Sequence, residues 1–245
     1  MKLYTTLQIG AHHIHHCEDY LVTAPLGTEK TLCAVMDGCS MGKDSYLVAT
    51  LTGKILRKVA KEIAFREFAE KRTTILPDLL KTILRQLFHE LKQLKNTLQL
   101  ERNELLTTLV IAVIDAKEKA GEFMCIGDGV IDINGNLYEF DQDNKPDYLG
   151  YHLQEDFEHW FSVQQQRLSE KGIINFSLCT DGIFTFSRFD NNIYEPSGNI
   201  IAWLLTDDTY NENEHMLSQK VTEVKMNWGL VPTDDLAIVR GYLGD

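Results

Sequence analysis

The chain is short of most features that assign a protein quickly. Its five cysteines, Cys17, Cys33, Cys39, Cys125 and Cys179, are odd in number, and no two stand at C-x-x-C spacing. That excludes a zinc ribbon and argues against a disulfide framework. Three of them lie inside apolar, strand-like runs, the usage of reduced, buried thiols in a cytosolic protein. Basic charge is also scarce. Against 24 Lys and Arg stand 36 Asp and Glu, a formal net charge of -12, so the chain has no basic face with which to displace counterions from nucleic acid. No run approaches the roughly 18 apolar residues of a membrane span, and Met1-Lys2-Leu3-Tyr4 lacks the apolar core of a signal peptide. A cytoplasmic protein with neither membrane nor nucleic-acid partners is expected. Gly53-Lys54 has Val48 where a Walker loop needs its first glycine, and no G-x-G-x-x-G occurs. There is no internal repeat, low-complexity tract or clear linker, so residues 1–245 are expected to form a single domain.

What the chain does have is one motif used four times, an apolar run that meets an aspartate. The copies are Leu32-Cys33-Ala34-Val35-Met36-Asp37-Gly38, Phe123-Met124-Cys125-Ile126-Gly127-Asp128-Gly129, Phe176-Ser177-Leu178-Cys179-Thr180-Asp181-Gly182, and Thr233-Asp234-Asp235 leading into Leu236-Ala237-Ile238-Val239. A lone Asp-Gly is ordinarily a turn, because glycine supplies positive φ and aspartate caps the bend. Four carboxylates at the ends of buried strands point instead to one shared site.

Between these motifs the hydrophobic period changes. From about Met41 to Phe68, Leu47, Leu51, Ile55, Val59 and Ile63 fall on one helical face, with Lys54, Arg57, Lys58 and Lys61 on a solvated one. A second helix is expected from Pro77 to about Leu98, its stripe from Leu80 to Leu94 reading as core rather than an oligomer seam, so a monomer is expected. Strands follow at Thr107–Asp115 and Gly121–Gly127. Asn134-Gly135 signals a hairpin between Val130-Ile131 and Leu137-Tyr138. Residues from about Asp141 to Glu158 read as a loop with short elements. Later come a strand at Ile173–Thr180, helices near Ile200–Leu205 and Asn213–Trp228, and a last strand at Leu236–Leu243. Antiparallel groups of strands with paired helices predict an α+β fold rather than alternating βαβ units.

Clusters of Asp without His or Cys select hard cations, and magnesium or manganese suit a few carboxylates, backbone carbonyls and many waters. Two such ions about 3.5–4 Å apart can share a bridging water, lower its pKa and hold a phosphoryl group for in-line attack. Hydrolysis then needs no protein nucleophile.

With Glu18-Asp19, Asp37-Gly38, Thr107-Thr108, Gly127-Asp128, Thr180-Asp181-Gly182 and Asp234-Asp235 in that order, the chain resembles the protein phosphatase 2C family of metal-dependent serine/threonine phosphatases. The likeness runs from Glu18 to Val239. It implies a four-layer αββα sandwich, two antiparallel sheets flanked by helix pairs, holding two Mn2+ or Mg2+ ions at one end of the sheets and acting on phosphoprotein substrates in signalling. On this resemblance Asp37 bridges both ions and Gly38 offers its carbonyl to one. Asp181 and Asp234 bind the other, Glu18 holds metal-bound waters, Asp19 supports the site from behind, and Asp128 contributes to a third, more weakly held ion. Asp235 stands where the family usually has asparagine.

The sequence departs from the family elsewhere. Ile14 occupies the position of the arginine that grips the substrate phosphate, leaving His13, His15 and His16 as candidates for that contact, although imidazole lacks the guanidinium fork. Cys39 replaces a histidine found in eukaryotic members, and Leu106 replaces the glycine before the paired threonines. Ile14 favours an alternative, a catalytically weakened relative that binds metal or phosphoprotein as a regulatory module; retention of Asp37, Asp181 and Asp234 favours the enzyme. Two further readings compete. Gly38-Cys39-Ser40-Met41-Gly42 fits G-x-S-x-G between a strand and a helix, the setting of a serine hydrolase's nucleophile elbow, with His215 as the late histidine. And His12, His13, His15 and His16 would cluster on alternate faces of a strand, where zinc is conceivable without any matching Cys or carboxylate spacing.

Overall fold

The structure is a computed structural model that describes residues 1–71, 73–142, 145–190, 192 and 198–244. In chain order its strands are β1 (Lys2–Gln8), β2 (Asp19–Pro25), β3 (Lys30–Asp37), β4 (Leu109–Asp115), β5 (Ala120–Ile126), β6 (Gly129–Ile133), β7 (Asn136–Phe140), β8 (Arg167–Lys171), β9 (Asn175–Cys179), β10 (Phe186–Arg188), β11 (Leu230–Pro232) and β12 (Leu236–Tyr242). The helices are α1 (Ser45–Glu70), α2 (Leu76–Leu98), α3 (Phe157–Val163), α4 (Ile200–Leu205) and α5 (Met216–Trp228).

Two five-stranded antiparallel sheets form the centre, ordered β1-β12-β9-β6-β7 and β2-β3-β4-β5-β8, with β10 and β11 as a small separate ribbon. Side chains of a strand alternate between faces, and here both faces are covered. On β4, Leu109, Ile111 and Val113 pack with α1 and α2, while Val110, Ala112 and Ile114 meet the opposite sheet. On β12, Ala237 and Val239 face the inter-sheet layer, while Leu236 and Ile238 face α4 and α5. Three apolar layers therefore separate helices, sheet, sheet and helices. This is the αββα sandwich, and it explains the unbroken apolar runs within these strands, residues 32–36 in β3, 109–114 in β4, 123–126 in β5 and 236–239 in β12.

Several local expectations meet their physical reasons here. Asn134 and Gly135 both take positive φ, 55° and 82°, as a tight turn twisted with its strands requires, and β6 pairs with β7 across it. The helix expected from Met41 begins only at Ser45, because Gly42 N–H and Lys43 N–H are held by the Cys39 and Asn103 carbonyls and pull the chain out of helical geometry. Likewise, α5 begins at Met216 rather than Asn213. The stretch from Asp141 to Glu158 is irregular apart from a 3-10 turn at Leu149–Tyr151 and the start of α3, and its residues 143 and 144 lie outside the described ones. Residues 9–18 form turns and bends rather than a strand, so the alternation that would pair His13 with His15 does not exist; the rings of His15 and His16 are neighbours instead, with centroids 6.4 Å apart.

Antiparallel entry and exit bring one set of strand ends to one edge. Gln8 of β1 lies opposite Leu236, the first residue of β12, and Ile238 lies opposite Cys179, the last of β9. In the other sheet Asp19 opens β2 directly opposite Asp37, which closes β3, and Gly38 bridges to Thr107 just before β4. Every strand-end aspartate motif thus reaches the same edge of the sandwich.

Candidate metal and phosphate site

Asp19 and Asp37 are a directly opposed cross-strand pair. Like charges so placed normally destabilise a sheet, yet here both are drawn inward. Burial pushes the Asp19 carboxyl well above its usual range, reinforced by the charges of Asp235 and Asp181 and opposed by a hydrogen bond from Thr180. Burial does the same to Asp37, with the charges of Asp19, Asp181 and Asp234 adding to it. Asp181 is pushed up to about 6, first by burial and then by Asp234 and Asp128. Six carboxylates, Asp19, Asp37, Asp128, Asp181, Asp234 and Asp235, therefore share one field.

The backbone around them is fixed by specific bonds. Thr180 Oγ1, fully buried in effect, donates to Asp19 Oδ2 at 2.7 Å and accepts the Ala237 N–H at 2.9 Å, tying one sheet's carboxylate to the other sheet. Thr107 Oγ1 donates to the Asp37 carbonyl at 2.9 Å, and Thr108 N–H donates to the same oxygen at 2.8 Å. Glu18 accepts from Ser40 Oγ at 2.6 Å and Ser45 Oγ at 2.5 Å, so both its oxygens are held. Asp128 Oδ1 accepts the Gln142 N–H at 2.9 Å. Gly38 and Gly182 are required by close approach: a Cβ on either would collide with a main-chain carbonyl, that of Ser45 or of Asp235 respectively.

Asp235 is buried within this frame. Its Oδ1 accepts the Gly10 N–H at 2.7 Å and its Oδ2 accepts the Glu18 N–H at 2.5 Å. Its Oδ2 also lies 2.8 Å from His13 Nδ1, an ion-pair distance, but out of line with the ring N–H, so the nitrogen gains charge contact without a well-directed hydrogen bond. Across the ring, His13 Nε2 faces Asp234 Oδ1 at 3.6 Å and Glu18 Oε2 at 4.0 Å. Burial alone lowers the His13 pKa, but the close contact with the Asp235 carboxylate and the charges of Glu18 and Asp234 outweigh it and leave it raised.

Of the sequence-predicted residues, Glu18, Asp19, Asp37, Gly38, Asp181 and Asp234 gather here, Asp128 adjoins Asp181, and His13 joins them. His15 and His16 stay at the rim, lining the hollow in front of Glu18 without contact to the carboxylates: both are exposed, and His16 stacks on Tyr46 with ring centroids 4.2 Å apart. Ile14 is 83% exposed and grips nothing. The nucleophile-elbow reading fails, since Ser40 donates to Glu18, His215 lies exposed beside Glu214, and the sheets are antiparallel throughout. Sequence reasoning missed the work of Thr180, Ser40 and Ser45. A threonine immediately before a buried Asp-Gly was the available signal for the first; nothing local marks the serines, whose role depends on Glu18 across the loop.

The donor set suits a hard divalent cation. It is all oxygen, and among the described residues the leading charges acting on Asp19, Asp37 and Asp181 are other carboxylates. Among those residues no three or more His, Cys, Asp or Glu groups form a ready-made metal cage. Magnesium-type sites use one or two carboxylates and keep their waters, so an open arrangement fits them.

The model of the protein phosphatase 2C family matches residues 9–217, and the chain belongs to that family. The fold is shared with solved structures at low identity. A bacterial serine phosphatase is 14% identical with a TM-score of 0.64, the match covering 99% of this chain and 98% of that one. Stp1, a serine/threonine phosphatase from Staphylococcus aureus, is 14% identical with a TM-score of 0.63, covering 99% and 95%. RsbX, solved in complex with magnesium, is 16% identical with a TM-score of 0.52, covering 98% and 95%. Curated sequences give no match. Among the described residues no helix is long and apolar enough to cross a membrane.

Proposed function

We propose that the whole chain, 1–245, works as one phosphatase domain that hydrolyses phosphoserine and phosphothreonine esters in proteins with the help of two Mn2+ or Mg2+ ions. The observation that carries this is the gathering of Asp37, Asp181 and Asp234, one from the end of β3, one just after β9 and one just before β12, at a partly exposed, carboxylate-rich edge. When bound, such ions lower the pKa of water and neutralise charge building on a phosphoryl group. Asp37 with the Gly38 carbonyl would hold one ion and share the second with Asp181 and Asp234, while Asp128 would serve a third.

The chain's own residues do the rest. Ser40 and Ser45 fix both oxygens of Glu18, which leaves it free to orient water by its remaining lone pairs. Thr180 holds Asp19 against Asp37 and so sets the spacing of the two sheets at the site. His13 takes the place of the missing arginine: Asp235 raises its charge, and Nε2 stands beside Asp234 and Glu18 where a phosphate oxygen would arrive. The added charge of Asp235 and the loss of the arginine at Ile14 are then one compensated change. Family membership and the electrostatic need for a cation both support this reading.

The test is phosphate release from phosphoserine and phosphothreonine peptides with and without manganese. Turnover that requires manganese and a KM raised several-fold in His13→Ala, with His15→Ala and His16→Ala unchanged, supports it. The exposed Ile14 favours a second reading, a module that binds metal or phosphoprotein without turnover; manganese binding by calorimetry with no phosphate released would establish that one instead.

A further inference from the structure

Two hollows meet at His13. One, about 500 Å³, is polar and lined by His12, His15, His16, Glu18, Ser40 and Ser45. The other, about 350 Å³, lies between the loop 8–13, β11 and α5, and its walls include Ile9, Ala11, Phe189, Leu230, Val231 and Pro232. His13 lines both. The second hollow is no accident of a loose loop, because Ala11 N–H donates to the Pro232 carbonyl at 2.9 Å and His12 N–H to that of Thr233 at 3.0 Å. Its floor is therefore continuous with the backbone that carries Asp234 and Asp235. Ile9 and Phe189 stand 49% and 45% exposed at its mouth, and Lys225 sits on its far wall.

We propose that this groove receives the peptide segment beside the phosphorylated residue, and that the chain selects phosphopeptides carrying an aliphatic or aromatic side chain one or two positions from the phosphate. This rests on the phosphatase reading. A peptide whose phosphate lies at His13 has both hollows beside it, and an extended strand turns successive side chains to opposite sides at about 3.3 Å per residue. With one side chain in the polar hollow, the next faces the apolar one. An apolar side chain well placed in such a pocket is worth about 10- to 200-fold in discrimination.

The experiment uses the full chain and phosphothreonine peptides that differ only in a flanking residue, Leu, Ala or Asp, placed on either side in turn. Both kcat/KM and binding by fluorescence anisotropy are measured, beside hydrolysis of an aryl phosphate that has no flank. The Leu peptide on one side should exceed its Asp counterpart by at least ~10-fold. Ile9→Asp and Val231→Asp should each erase that preference while aryl phosphate turnover stays within about twofold. Equal values for all peptides, or a preference that survives both variants, would overturn the groove. Failure to hydrolyse the aryl phosphate and every peptide overturns the phosphatase reading instead, and a Leu preference in anisotropy would then uphold the groove by itself.

Discussion

Gly182→Ala is the perturbation whose consequence follows most directly from the geometry. Gly182 follows Asp181 in the 3-10 turn Asp181–Phe184, and a Cβ there would land on the Asp235 carbonyl oxygen, well inside the 3.0 Å that real Cβ contacts respect. The obstacle is main chain, so no rotamer change relieves it, and Asp181 must move away from Asp234 and Asp235. Overpacking of this kind costs about 1–3 kcal/mol. For a chain of this length that lowers Tm by roughly 2–12 °C, at about 2–4 °C per kcal/mol. A displacement on the order of 1 Å at a reacting centre costs about 100-fold in rate, so the loss of manganese-dependent kcat/KM should exceed what the stability change alone would cause. The assay pairs thermal unfolding with aryl phosphate hydrolysis at a temperature where the variant remains folded. Gly198→Ala is the control, because among the described residues its Cβ would meet only the Trp228 ring, at an ordinary 3.7 Å. A Gly182→Ala protein that melts and turns over like the wild type would refute the reasoning that close backbone approach positions Asp181.

Other outcomes follow from the same contacts. Thr180→Val keeps shape but deletes the hydroxyl bonded to Asp19 and Ala237, and a denaturant series should show a loss of about 1–3 kcal/mol; no shift in midpoint would count against that hydroxyl as the link between the sheets. Manganese at about 100 times its Kd should add about 2.7 kcal/mol to stability, visible as a higher Tm that Asp37→Asn abolishes; an equal rise in the variant would place the ion elsewhere. Remote from the site, burial raises the Asp207 carboxyl pKa, but bonds from Lys220 and Thr209 outweigh it and leave the value low. The stability this contributes is present above the unfolded carboxyl pKa of about 3.9 and is lost as pH falls through the lower folded value. Lys220→Met should therefore flatten the fall of Tm below about pH 4, and an acid limb identical to wild type would contradict the assignment.

Much of this was legible in the chain because the site is built from strand ends. Asp37, Asp128, Asp181 and Asp234 are marked by the apolar runs that β3, β5, β9 and β12 require, being buried on both faces. The antiparallel order then carries those ends to one edge without further information. The long helices were visible for the same reason, as α2 shows a leucine stripe whose buried members include Leu80, Leu84, Leu87 and Leu91. What stayed hidden depends on contacts between distant segments. The N-terminal loop is irregular because it is tied to Pro232 and Thr233, more than two hundred residues away, so local alternation misplaced His15 and His16. The ribbon of β10 and β11 is only three residues per strand, too short for a period to show. Asp235 announced itself only as an unusual residue, and its partner His13 became apparent once the loop was folded over it.

The central claim is that the gathered carboxylates work through a bound divalent cation, and a manganese titration of aryl phosphate hydrolysis by wild type and Asp181→Asn tests it most directly. The substitution removes charge and little volume, so its circular dichroism should match wild type. The account predicts saturable, manganese-dependent turnover in the wild type and a loss of at least ~100-fold in kcat/KM in the variant, on the order of the 2.7 kcal/mol that such a factor represents. Equal rates in the two proteins, or wild-type turnover indifferent to manganese, would contradict it.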